Sequence, residues 1–136
     1  MRTAVIAIVL ALSAVATAVG QVGTMSELMV KVIYPASDAL FYITTRTPAS
    51  EAEWSELQGK ALIVAESGNI LMMPGYARDR DQWMADARLL RDAGAAAFAA
   101  AKKKDVPALE ALNDQLYESC TSCHQHYRAN YGRRRP

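Results

Sequence analysis

Apolar residues recur along this chain at spacings of three and four, the period of helices with one buried face, and no stretch carries a strand pattern. Four such patterns follow one another, punctuated by Pro, Gly and Asp. The first opens on Thr24-Met25-Ser26-Glu27, where a Thr N-cap and a Glu three residues later form a capping box. Met25, Met29, Val32, Ile33, Ala36 and Leu40 then share a face. Pro35 sits inside this run and removes a backbone donor, so the spacing predicts a bent helix over roughly 25–45.

The second pattern begins at Thr47-Pro48, read as N-cap and first helical residue, with Ser50 and Glu53 as a second capping possibility. Its buried stripe is Trp54, Leu57, Ala61, Val64, Ala65 and Met72, with Gly59 and Gly68 either weakening the helix or admitting a close neighbour. Pro74-Gly75 ends it, and Asp79 or Asp81 caps the third helix. That helix carries Trp83, Ala87, Leu90, Gly94, Ala97, Phe98 and Ala101, and its last turn holds Lys102-Lys103-Lys104, where cations favour the helix dipole. Asp105 caps the fourth, whose continuing face is Leu109, Leu112, Leu116, Cys120, Cys123 and Tyr127. Arg133-Arg134-Arg135 follows as a solvated basic tail.

Four amphipathic helices of roughly 20 residues with short connections predict an all-α fold, an antiparallel four-helix bundle in up-down-up-down order. In that order the end of helix four shares a pole with the start of helix one, the end of helix two and the start of helix three. Apart from Met1, every methionine of the chain (Met25, Met29, Met72, Met73 and Met84) falls at that pole, with Leu71, Tyr76 and Trp83. Methionine is flexible and polarizable, suited to lining an irregular pocket.

Residues 1–20 read as a secretory signal: Arg2, an apolar run from Ala4 to Val15, then the small residues of Ala16-Thr17-Ala18. Cleavage after Ala18 or Gly20 leaves a single domain over 21–136 in the periplasm, with no membrane span; retention as an anchor is the other outcome. Losing Arg2 from the 15 basic residues leaves 14 against 14 acidic ones, a balance that gives no reason to expect nucleic acid.

The candidate chemistry is Cys120-Thr121-Ser122-Cys123-His124, which holds both cysteines and one of the two histidines of the 136-residue chain. C-x-x-C-H is the spacing of covalent c-type haem attachment. Each thiol adds across one vinyl group, its sulfur bonding to one carbon and its hydrogen going to the other, and the imidazole reaches the iron. On a helix, positions i, i+3 and i+4 share a face, so all three groups address one macrocycle. Three other readings exist. A redox dithiol wants a βαβ setting. Zinc wants four ligands, and beyond His126 there is no second cluster. An i,i+3 disulfide is the third. Export favours haem, because attachment is extracytoplasmic and idle thiols there would pair.

The chain is therefore expected to hold one haem c through Cys120, Cys123 and His124. Helical rise puts Met29 at the matching height on helix one as the sixth ligand, with Met25 one turn lower and an open position as alternatives. His126 points to another face and is expected to be exposed rather than liganding.

These features resemble the class II c-type cytochromes, the cytochrome c′ family. Four helices, one C-x-x-C-H near the C-terminus, Tyr127-Arg128 just beyond it and Trp83 opening helix three carry the likeness. The resemblance implies thioethers at Cys120 and Cys123, His124 as proximal ligand and Arg128 near the proximal face. It implies a haem protein rather than an enzyme: a one-electron carrier serving redox partner proteins, or a five-coordinate form binding nitric oxide or carbon monoxide. Homodimerisation through the first two helices is common in the family. Pro35 departs from the family pattern and bears on which residue, if any, takes the sixth position.

Overall fold

A computed structural model describes residues 20–132, and every regular element among them is helical. The capping box at Thr24 forms in full: the Thr24 hydroxyl accepts from the Glu27 N–H, and the Glu27 carboxylate accepts from the Thr24 N–H. It starts α1 (Met25–Leu28), which runs through a π-helical turn, Met29–Ile33, into α2 (Tyr34–Phe41). The bend expected at Pro35 takes this form for a physical reason. Pro35 offers no N–H and crowds the carbonyl four residues back, so the preceding turn widens until the Tyr34 N–H reaches the Met29 carbonyl. The rod stays continuous, and ends earlier than residue 45.

Thr47 does not cap the second helix. Its hydroxyl donates to the Ile43 carbonyl at 2.7 Å, and Ser50 with Glu53 makes the capping box for α3 (Glu51–Leu71). Ser50 wins because its backbone is already extended and Glu53 lies three residues on. At the start of α4 (Gln82–Lys102), Asp81 occupies the cap position without a capping bond, and Asp79 supplies the acceptor for the Trp83 N–H at 3.0 Å. Both aspartates named by the sequence thus take part, in different roles.

α3 and α4 make the most extensive packing in the molecule. Gly68 lies against Ala87 and Arg91, whereas Gly94 lies against Val64 and Ala65, so the two helices run antiparallel. A Cβ at Gly94 would sit 2.3 Å from the Ala65 nitrogen, and one at Gly68 2.6 Å from the Arg91 nitrogen. These glycines let the backbones touch. Ala61, Ala87, Ala93, Ala97 and Ala101 are buried beside them.

The last helix is not one straight face. α5 (Val106–Ala111), capped by the Asp105 carboxylate, gives way at Leu112 to α6 (Asn113–Tyr127). At this break the Asn113 amide donates to the Phe41 carbonyl at 3.3 Å, tying the joint to the end of α2. α6 packs on α4 and more lightly on α2. The result is four packed helical segments, the first and last each bent. The leader and the arginine tail lie outside the described residues, within which no helix is long and apolar enough to cross a membrane.

Candidate cofactor site

α6 turns its Cys face toward the first rod, and a cavity of about 430 Å³ opens between them. Cys120, Cys123, His124 and Arg128 line it from α6 and its end, Met29 and Ile33 from the π turn, and Leu71 and Leu90 from the central helices. A second cavity of about 420 Å³ adjoins it, and Met29, Val30, Cys123, His124 and Arg128 border both. All five residues singled out from the sequence are therefore brought together around one largely apolar space. Met25 borders only the second cavity.

The other methionines do not join them. Met72, Met73 and Met84 line neither cavity. Met72 and Met84 pack against the core, and Met73 is exposed. Leu71 and Trp83 stand in the cavity walls in their place, because Trp83 turns inward to donate its indole N–H to the Leu71 carbonyl at 2.6 Å. Tyr76 instead ties the loop after α3 to the start of the first rod, donating to the Gly23 carbonyl at 2.9 Å.

His124 meets the edge of Tyr131 at 5.1 Å between ring centroids, and among the described residues neither of its ring nitrogens has a hydrogen-bond partner. Burial, then the positive charge of Arg128, holds its pKa below the ordinary histidine value. A neutral imidazole with an unshared lone pair is the form a metal binds. The thiols go the other way. Burial raises Cys120, and burial followed by the charge of Asp86 pushes Cys123 up to about 11. A redox dithiol is activated by a lowered pKa, so these shifts run against that reading. Both cysteines are unpaired, so the disulfide is not formed either.

What sequence reasoning missed is Asp86. It is 1% exposed, and its Oδ1 accepts from Ser122 Oγ at 2.7 Å and from Gln82 Nε2 at 3.2 Å. Its Oδ2 lies 2.9 Å from His126 Nδ1. His126 is exposed and lines neither cavity, as its position in the sequence predicts, and its Nδ1 is engaged by this buried acid. One residue on, the Tyr127 hydroxyl donates to Asp79, and the Tyr127 ring packs edge-on to Trp83 at 4.8 Å. The start of α4 thereby holds the C-x-x-C-H segment, and Asp86 stands in the wall of the same cavity as Cys120, Cys123 and His124. The signal was present: Asp86 falls on the same stripe as Trp83, Leu90 and Ala93, where a charge needs partners.

Comparison with family models, curated proteins and solved structures finds no match to this chain. Any cofactor must be argued from the residues. A covalent haem fits them: two unpaired thiols and a neutral imidazole stand on one helix face before an apolar cavity. One further observation agrees. Ser37 also lines that cavity, is 4% exposed, and its hydroxyl has no hydrogen-bond partner. A buried hydroxyl without a partner is costly, and a polar group at the rim of a bound macrocycle would relieve it. Ser67 is likewise unpaired but lies in neither cavity, so it carries no such suggestion.

Proposed function

We propose that this chain is an exported c-type cytochrome of the cytochrome c′ kind, carrying one haem c on an up-down-up-down bundle and passing single electrons between partner proteins. One observation carries the reading: Cys120, Cys123 and His124 line one apolar cavity with Met29 on the opposing rod. The haem supplies reversible ferric–ferrous chemistry when bound. Cys120 and Cys123 would hold it covalently through two thioethers. His124 and Met29, which line the same cavity, would hold its iron. Such a His/Met pair would favour a raised potential. The π turn matters here, because Met29 is its first residue and the widened turn sets the helical register upstream of Pro35.

The walls of the cavity support a second reading. Val30, Ile33 and Leu90 would surround an open position with apolar side chains, which suits a small neutral gas such as nitric oxide or carbon monoxide. Absorption spectroscopy of the oxidised protein separates the two. A low-spin spectrum with a Met–iron charge-transfer band, abolished in Met29→Ala, supports the carrier. A high-spin spectrum unchanged by that substitution favours the gas-binding form. A band lost in Met25→Ala but kept in Met29→Ala moves the ligand by one turn.

A further inference from the structure

Beside the attachment motif, in the wall of the same cavity, lies a charged group that haem attachment itself does not use. Asp86 is the one charged residue among the buried polar side chains of the described residues. It borders the larger cavity together with Cys120, Cys123 and His124. Burying a carboxylate costs several kcal/mol unless it is well paired, so its presence on an otherwise apolar stripe asks for a role.

We propose that Asp86 sets the reduction potential of the iron, holding the attachment helix by Ser122 and His126 while placing a carboxylate charge in the cavity wall. This rests on the haem reading above. The geometry makes Asp86 a positioning residue first. Its two oxygens grip the residues on either side of His124, one being the second variable position of the motif and the other two residues beyond the ligand. The rotation of α6 is thereby fixed from α4 rather than by the haem.

The electrostatic part follows from the surroundings. Among the described residues no Lys or Arg pairs with Asp86; its partners are a hydroxyl, an amide and an imidazole. Ferric iron carries one more positive charge than ferrous iron, so a nearby negative charge favours the ferric state and lowers the potential. Low effective dielectric makes a buried charge count far more than one at the surface. Loss of the carboxylate takes a negative charge out of the cavity wall, so the potential should rise.

The test is the midpoint potential of the haem-loaded exported protein at one fixed pH. Asp86→Asn, nearly isosteric, should keep the haem and move the ferrous–ferric equilibrium toward ferrous by on the order of tenfold, about 59 mV for one electron. Asp92→Asn removes the same charge from an exposed position on the same helix and should move it far less. If Asp86→Asn fails to accumulate, Asp86→Ser removes the same charge, keeps a hydroxyl within the hydrogen-bonded cluster and should show the same upward shift. A haem-loaded variant with an unchanged or lowered potential overturns this inference and leaves the haem reading standing. A wild-type protein without covalent haem overturns both.

Discussion

The two sides of α4 are built on opposite plans. Toward α3 it presents Ala87, Gly94 and Ala101, and the backbones meet so closely that a single added methyl at Gly94 would collide with Ala65. Toward α6 it presents Trp83 and Asp86, which hold the neighbouring helix by a ring edge and hydrogen bonds. Beyond them two cavities of about 430 and 420 Å³ remain between α6 and the first rod. Protein interiors are normally packed as densely as organic crystals. A chain able to close the α3–α4 seam to backbone contact has not failed to pack the other side. On the reading proposed above, the cavity is the place of the haem and the seam is the frame that keeps it open.

Substitutions on the two sides should therefore fail differently. The largest effect is expected at the cavity: Cys120→Ser with Cys123→Ser should abolish covalent haem while circular dichroism still reports a helical protein. Wholesale unfolding of that variant in its haem-free form would mean the thiols belong to the frame. Next comes the seam. Gly94→Ala should cost about 1–3 kcal/mol in denaturant unfolding, since backbone rather than a flexible side chain must move. Gly59→Ala, where an added Cβ meets nothing within 4 Å, should instead stabilise by about 0.5–1 kcal/mol.

Smaller effects sharpen the comparison. Ser50→Ala removes the capping box of α3, a frame element, and should cost about 1 kcal/mol without altering the visible spectrum. The grip on α6 should respond to acid. The Tyr127 hydroxyl, then the Trp83 N–H, hold the Asp79 carboxyl below its ordinary value of 3.8. Because the folded value is the lower one, this contribution is whole above the ordinary carboxylate range and is lost as pH falls through 3.8 toward the folded value. Trp83 fluorescence should report a loosened Tyr127 contact over that range, and Asp79→Asn should flatten the acid limb. An identical acid limb in the variant would remove Asp79 from the grip.

The frame was largely legible in the chain itself. Thr24 with Glu27, and Ser50 with Glu53, announce helix starts by local chemistry alone, and Asp105 does the same for α5. Thr47-Pro48 looked like a start because Thr and Pro suit those positions, yet the hydroxyl found a carbonyl behind it instead. Pro35 signals a distortion by its missing donor, and the distortion takes the form of the widened turn at Met29–Ile33. The Cys face was readable because i, i+3 and i+4 coincide on any helix. Asp86 was not, since its partners Ser122 and His126 stand 36 and 40 residues away. Sharing a pole does not make the methionines share a cavity: Met72, Met73 and Met84 line neither, and Trp83 and Leu71 stand in the walls.

The most direct test is the mass and visible spectrum of the protein exported from a host competent in haem attachment, recorded after denaturation. One haem added to the chain, with the haem absorption remaining on the unfolded polypeptide, is the expected result. A chain of bare polypeptide mass with two reactive thiols at Cys120 and Cys123 would contradict it.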